Sequence, residues 1–210
     1  MGFNVWRWLS DPNYRAIKRW KRLDGDRTLK FDFRLTKDSI VFDVGAYRGE
    51  YAAELARRFG CRIEAFEPIV EYADAARRAV AEFPSVTVHG FGLSDRDHEA
   101  EMSVSGLGSS VFRSGGERSI ATFRDIVAFL EESGIDNVDL LKLNIEGGEY
   151  MVLPRLIEVS RIRSIRFVLV QFHLIEEGDS GRYEALFHKI NATHRLRWRF
   201  PFVWELWERV

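Results

Sequence analysis

The sequence predicts an α/β fold: a mainly parallel seven-stranded sheet with helices on both faces and a C-terminal antiparallel hairpin. From residue 38 onward, short apolar runs alternate with stretches in which apolar residues recur at helical spacing. This alternation calls for parallel strands, because each crossover helix returns the chain to the same end of the sheet. The last segments, 195–200 and 203–207, instead alternate polar and apolar residues around Pro201, which predicts two antiparallel strands.

Length and composition fit one compact domain. The chain has 210 residues, of which 46% are hydrophobic and 13% aromatic, enough apolar surface for a real core. Its formal net charge of −1 gives no global field that would attract nucleic acid or an anionic membrane surface. The lone Cys61 cannot form an internal disulfide or a cysteine-rich zinc site. No apolar run approaches the ~20 residues of a membrane span, so we expect a soluble cytoplasmic protein.

Residues 1–35 differ from the rest and form a predicted arm ahead of a domain at 36–210. The first 30 residues hold eight Lys or Arg against three Asp, with Trp6, Trp8 and Trp20 among them. One interpretation is an amphipathic helix that packs its aromatic side chains on the body and solvates its charges. The other is a lid or docking arm for an anionic substrate or a lipid surface. The sequence leaves both interpretations open.

The first half of the predicted domain contains three strands and two helices. Ile40 to Val44 is an apolar run bounded by turn residues, which predicts a buried strand. Apolar residues from Tyr51 to Phe59 recur at helical spacing, and Gly60 ends that helix. The same patterns predict a second strand at 62–66, a second helix at 69–80 and a third strand at 86–91.

The second half adds two helices and four strands. Apolar residues from Phe123 to Leu130 at helical spacing predict a helix with Thr122 as its N-cap. The segment from Gly106 to Gly116 is rich in Gly and Ser and is predicted to be a mobile loop. The remaining elements are strands at 139–145 and 165–172, a helix at 183–190 and the closing hairpin.

The first candidate ligand loop follows the first strand. Ligands of such sheets bind beyond the carboxyl ends of the strands. Gly45 would let the backbone turn off the strand, and Gly49 would let the next helix start close to a ligand. This spacing is not the GxGxxG of dinucleotide sites, and Asp43 suits a cationic ligand better than a phosphate. A purely structural strand-to-helix turn would look similar.

Two further loops follow the second and third strands. Glu67 follows Asp43 by twenty-four residues, at the end of the next strand, where a carboxylate can accept both hydroxyls of a ribose. Leu93 and Ser94 follow the third strand and are placed to line a base, although Ser94 would also cap a turn.

A fourth loop closes the strand at 139–145. Asn144 and Glu146 are polar residues at the end of an otherwise apolar strand, so they must be paired or used by a ligand. His173 lies just past the end of the strand at 165–172. Its ordinary pKa of ~6.5 would leave it neutral at pH 7 and able to act as a general base. A satisfied structural histidine is the alternative.

The motifs together resemble the FkbM family of S-adenosylmethionine-dependent methyltransferases. The segments that carry the resemblance, in order, are VFDVGAYRGEYAAELA, IEAFEP, FGLSD, GSSVF and DLLKLNIEGGEYMVL. They span roughly residues 39–175. The resemblance implies a class I methyltransferase (Rossmann-like) fold, S-adenosylmethionine as methyl donor, and O-methylation of a hydroxyl on a sugar, glycan or secondary metabolite.

The resemblance also implies roles by position. Asp43, Gly45 and Gly49 would form the methionine-side loop, Glu67 the ribose acceptor and Ser94 an adenine-side contact. The expected cofactor site further includes the neighbours Ala46, Tyr47, Glu50, Tyr51, Pro68, Leu93 and Asn144. The expected catalytic residues are His173 as base and Glu146, with no metal.

The chain departs from the family pattern at the expected active edge. The family usually has Asp where Asn144 stands, often Glu at Gln171, and a TLD-like triplet at Thr122-Phe123-Arg124. These losses weaken the prediction of a carboxylate base or a hard-cation site and leave the prediction of cofactor binding largely unaffected.

Other interpretations stay open. The chain could be a cofactor-binding module without catalysis, a nicotinamide-dependent oxidoreductase, or a metal-assisted transferase that uses Glu146, Glu149 and His173. We expect no nucleic-acid partner, because the sequence has neither the Asn-Pro-Pro-aromatic signature nor a Pro-Cys nucleophile. Three tryptophans near the C-terminus suit either core packing or a homo-oligomer face.

Overall fold

A seven-stranded sheet forms the body of the computed structural model, which describes residues 12–104 and 117–210. Its strand order is β3-β2-β1-β7-β8-β10-β9. The bounds are β1 Ile40–Val44, β2 Arg62–Phe66, β3 Val86–His89, β7 Val138–Leu143, β8 Ile165–Val170, β9 His194–Phe200 and β10 Trp204–Arg209. The first five strands in this order pair in parallel, and β10 pairs antiparallel with both β8 and β9. The predicted fold class is confirmed.

The helices cover both faces of this sheet because successive strand residues point to opposite sides. Leu140 of β7 packs with one core cluster and Leu141 with another; the first also holds residues of α1 and α2, and the second those of α4, α5 and α6. The bounds are α1 Pro12–Arg22, α2 Glu50–Phe59, α3 Val70–Ala79, α4 Ile126–Glu132, α5 Glu149–Glu158 and α6 Asp179–Asn191. Short 3-10 turns lie at Leu29–Phe31 and Arg161–Ser164.

A second sheet of three strands, absent from the sequence prediction, stands beside the first. It consists of β4 Gly92–Ser94, β5 His98–Val104 and β6 Glu117–Asp125, in the order β4-β6-β5. The predicted strand at 86–91 is therefore too long, because the chain leaves the large sheet after His89 and enters the second one.

The predicted start of α4 is wrong. Thr122 and Phe123 belong to β6, and the N-cap is Asp125, whose carboxylate accepts a hydrogen bond from the backbone N–H of Val127 at 2.8 Å. Apolar spacing alone could not place this boundary, since Phe123 serves the second sheet and Ile126 the core. The predicted mobile loop at 106–116 lies outside the described residues.

The described part of the N-terminal segment is packed against the body. Trp20 of α1 is buried, and its ring lies 5.8 Å from Trp198 and 5.3 Å from Phe200. Trp204 and Trp207 are also buried in the core. For Trp20, this packing agrees with the interpretation of an amphipathic helix that packs its aromatic side chains on the body. The division of the chain at residue 35 stays a prediction.

No helix within 12–104 and 117–210 is long and apolar enough to cross a bilayer.

Candidate active site

A cleft opens at the carboxyl ends of β1, β2 and β7. The space within it, including its open mouth, is about 880 Å³. Eight of the predicted site residues line it: Gly45, Tyr47, Glu67, Pro68, Leu93, Ser94, Asn144 and Glu146. These residues come from four loops that lie far apart in the sequence, and the parallel register of the sheet brings them together.

Glu67 is held at both of its carboxylate oxygens. Its Oε2 accepts a hydrogen bond from the Tyr47 N–H at 2.9 Å, and its Oε1 accepts one from the Ile69 N–H at 3.0 Å. The side chain is buried, and burial raises the pKa of Glu67 to about 7 although both hydrogen bonds act to lower it. A carboxylate fixed at both oxygens still offers lone pairs to hydroxyl donors in the cleft.

Gly45 allows the backbones of β1 and β7 to approach each other at the floor of the cleft. Its φ is +81°, and a Cβ atom there would lie 2.1 Å from the carbonyl oxygen of Asn144. Asn144 in turn presents an Oδ1 atom that is buried and has no hydrogen-bond partner among residues 12–104 and 117–210. A buried amide oxygen without a partner is costly, so it marks a place where a donor from a ligand would be stabilising.

Asp43 does not line the cleft. It is fully buried in β1, where its Oδ1 lies 2.7 Å from Nζ of Lys142 on the neighbouring β7. Lys142 Nζ also donates to the carbonyl oxygen of Gly45 at 2.8 Å. The charge that we expected to attract a cationic ligand is thus compensated inside the protein.

Four other predicted cofactor residues lie beside the cleft and do not line it. Gly49 has a φ of +84°, but the Cβ it lacks would meet the backbone of Ala76 on α3, so this glycine serves helix packing and not close approach to a ligand. The Tyr51 hydroxyl donates to the Lys30 carbonyl oxygen at 2.9 Å. Ala46 is buried in the core, and Glu50 is the first residue of α2.

Tyr47 combines an unusual backbone with an aromatic wall. Its φ is +52°, a backbone conformation that residues other than glycine rarely adopt. This conformation directs the Tyr47 N–H toward Glu67. The Tyr47 ring packs edge-to-face on the ring of Tyr72 with centroids 4.6 Å apart. The guanidinium of Arg48 lies 5.1 Å and 5.9 Å from these two ring centroids.

Sequence reasoning missed the wall that the second sheet contributes. His98 and Phe123 are register partners on β5 and β6, their rings stack at 4.9 Å, and both line the cleft with Met102. His98 is not among the site residues predicted from the sequence. The alternation in HEAEMSV, with His98, Ala100 and Met102 on one face, is the strand signal that could have found this wall.

His173 lies behind the cleft, between two carboxylates. Its Nδ1 is hydrogen-bonded to Glu149 Oε1, and its Nε2 lies 3.4 Å from Glu146 Oε1. Burial lowers the pKa of His173, but the hydrogen bonds and charges of Glu146 and Glu149 outweigh it and raise the pKa to about 9. Our expectation of a neutral imidazole at pH 7 is therefore corrected: a protonated ring has no lone pair with which to accept a proton.

The described residues contain no group of three His, Cys, Asp or Glu side chains arranged to hold a metal ion. Glu146, Glu149 and His173 are neighbours, but the imidazole nitrogens face the two carboxylates themselves.

The residues of the cleft fit a cationic nucleoside. The fixed carboxylate oxygens of Glu67 would accept hydrogen bonds from the hydroxyls of a ribose, and the unpaired Asn144 Oδ1 would accept one from an ammonium group. Leu93, Phe123 and Met151 provide apolar surface for a base.

A comparison with protein families identifies the class. The profile of the methyltransferase FkbM domain matches residues 43–197, well over half of the chain. The chain belongs to the FkbM methyltransferase family, as the motifs predicted. S-adenosylmethionine is the methyl donor of this family, so the predicted cofactor is confirmed and the nicotinamide alternative is disfavoured.

The curated proteins include one related sequence. The AMB antimetabolite synthetase AmbE of Pseudomonas aeruginosa is 27% identical over 199 residues, a match that covers 72% of this chain. The chain spans only 9% of the length of that synthetase.

Solved structures share the class I methyltransferase fold. A fibrillarin/Nop5p complex has a TM-score of 0.51 at 14% identity, covering 87% of this chain and 78% of the other. The Methanococcus jannaschii fibrillarin pre-rRNA processing protein has a TM-score of 0.49 at 11% identity, covering 84% and 69%. At 14% identity, the likeness to the fibrillarin/Nop5p complex is one of fold.

Proposed function

We propose that the chain is an S-adenosylmethionine-dependent O-methyltransferase that methylates a hydroxyl of a sugar, a glycan or a secondary metabolite. The observation that carries the proposal is the pairing, in one cleft, of the doubly held Glu67 carboxylate with a second carboxylate, Glu146, at the end of β7. The Glu67 carboxylate suits binding of the methyl donor, and the Glu146 carboxylate suits a methyl acceptor whose hydroxyl must lose a proton.

In this proposal Glu67 binds the ribose and Asn144 binds the ammonium group of the donor. Leu93 and Ser94 face the base, with Pro68 and Phe123 closing the apolar side. The bound donor supplies a methyl group on a sulfonium, which is electrophilic enough to be transferred to oxygen. The protein orients the donor, excludes water and holds a base near the hydroxyl.

The nature of the acceptor is supported by two observations. The near-neutral charge of the chain disfavours a nucleic acid. The sequence relative is named as an antimetabolite synthetase, which favours a small metabolite.

Binding and transfer are tested separately. Calorimetry with S-adenosylhomocysteine should give a 1:1 complex, and absence of heat would contradict the proposal. Methyl-labelled S-adenosylmethionine incubated with a panel of sugars, glycans and phenols should then label a product at oxygen. An N- or C-methylated product would contradict O-methylation.

A cofactor-binding module without catalysis is the second candidate, because Asn144 and Gln171 stand where the family pattern has carboxylates. It predicts donor binding with no labelled product from the panel or from an extract of the source cell. One labelled product disposes of it.

A further inference from the structure

Glu149, His173 and Glu146 form a continuous carboxylate–imidazole–carboxylate arrangement. Glu149 is the first residue of α5 and is fully buried. His173 follows β8 and contacts Glu149 through Nδ1 and Glu146 through Nε2. Glu146 lines the cleft, whereas Glu149 and His173 do not. The arrangement therefore runs from the core to the cleft surface.

The backbone around Glu146 is held in a costly conformation. Glu146 has a φ of +50° and Gly147 a φ of +107°. A non-glycine residue in this region of φ is strained, and the conformation persists only when its surroundings enforce it. The Gly147 N–H donates to Glu149 Oε2 at 2.7 Å, so one buried carboxylate holds both the turn and the imidazole.

We propose that Glu149 and His173 are positioning residues that hold the Glu146 carboxylate at the cleft, and that Glu146 takes the proton of the acceptor hydroxyl. The inference rests on the proposed function and names the base for it. As the acceptor oxygen forms its bond to the methyl carbon and the carbon–sulfur bond breaks onto sulfur, the O–H bonding pair stays on oxygen. The proton passes to the Glu146 carboxylate and then to solvent.

The charge on the imidazole explains the division of roles. With its pKa raised to about 9, His173 is a cation at pH 7, and it donates to a carboxylate on each side. The charged groups described as facing the ring are Glu146 from the β7–α5 turn and Glu149 from α5. The imidazole lies between the two carboxylates, and its contact with Glu146 Oε1 fixes the orientation of that side chain at the cleft.

The spectroscopic test uses the purified protein alone. The Cε1 proton resonance of His173 is assigned among the five histidines as the signal missing from His173→Gln. We expect it to titrate near pH 9 in the wild type and more than one pH unit lower in Glu149→Gln. Titration near 6.5 in the wild type would contradict the proposal that Glu146 and Glu149 hold a charged His173. If Glu149→Gln does not fold, the wild-type titration alone decides.

The kinetic test uses the acceptor identified by the labelling experiment. Glu146→Gln should lower kcat by ~10²-fold or more. His173→Gln should lower kcat about tenfold with KM for the acceptor little changed. The matched control Glu158→Gln, at the exposed end of the same helix, should keep wild-type rates.

Two outcomes would overturn the assignment. The base is His173 if Glu146→Gln stays active while His173→Gln is inactive. Glu146 binds the cofactor and is not the base if Glu146→Gln weakens S-adenosylhomocysteine binding as much as it lowers turnover. A wild type that methylates no acceptor contradicts the proposed function instead. The His173 titration still tests whether Glu146 and Glu149 hold a charged imidazole.

Discussion

Glu67 accepts one backbone hydrogen bond at each carboxylate oxygen, from Tyr47 and from Ile69. In Glu67→Gln the side-chain NH₂ must face one of these N–H donors, so a donor meets a donor in a buried place. The lost acceptor costs ~1–3 kcal/mol. We expect S-adenosylhomocysteine to bind about tenfold or more weakly, as measured by calorimetry.

The control for this prediction is Glu71→Gln, which changes an exposed carboxylate on the helix that follows Glu67. This variant should bind S-adenosylhomocysteine with the affinity of the wild type. Unchanged affinity in Glu67→Gln would mean that the ribose lies elsewhere.

Gly45 and Gly60 allow a controlled comparison of two glycine-to-alanine substitutions. Both have positive φ, +81° and +63°, but a Cβ at Gly45 would meet the Asn144 carbonyl oxygen whereas one at Gly60 meets nothing within 4 Å. Gly60→Ala should cost about 1–2 kcal/mol from the left-handed backbone alone. Gly45→Ala should cost a further ~1–3 kcal/mol, because β1 and β7 must move apart.

Denaturant unfolding measures both substitutions, and calorimetry adds cofactor binding, which only Gly45→Ala should weaken. Equal loss of stability in the two variants would refute the close approach at Gly45.

At the scale of elements, the ion pair of Asp43 and Lys142 joins β1 to β7 beneath the cleft. Lys142→Met leaves a buried carboxylate without its partner, and breaking such a pair costs ~3–5 kcal/mol. The double variant Asp43→Asn with Lys142→Met should recover part of this loss, because no charge is then buried alone. Denaturant unfolding measures both.

Lys37→Met, at an exposed position before β1, serves as the control and should change the free energy of unfolding little. If Lys142→Met is equally mild, the pair does not hold the two strands.

Element boundaries show where pattern reasoning succeeds. The bounds of β1 and β2 follow directly from apolar runs ended by turn residues, and the structure has them at Ile40–Val44 and Arg62–Phe66. Thr122 and Phe123 were assigned to a helix because Phe123 and Ile126 have helical spacing. Only the partner strand β5 decides that Phe123 belongs to β6, and strand partners are not encoded locally.

At the scale of the whole molecule, His173 should make stability depend on pH in the alkaline range. Its pKa is about 9 in the folded protein against an ordinary value of 6.5. A raised pKa means that the folded state binds the proton more tightly, so the stabilisation is complete below pH 6.5 and is lost as pH rises through about 9. The expected loss is on the order of 3 kcal/mol.

Thermal unfolding from pH 7 to 10 measures this dependence, and the comparison with His173→Gln isolates it from other groups that titrate there. The decline in stability should be flatter in the variant. The same slope in both proteins would mean that Glu146 and Glu149 do not hold a charged imidazole.

The sequence by itself determined the seven-stranded sheet, the family and eight of the residues that line the cleft, because apolar periodicity and strand-end motifs are local signals. Gly45, Glu67 and Asn144 could be named from their positions at strand ends, since the ends of parallel strands meet at one edge. Only the tertiary structure decided that Lys142 neutralises Asp43 and that two carboxylates hold a charged His173. Charge state depends on which groups packing brings within hydrogen-bond distance, and residues distant in sequence carry no local mark of that contact.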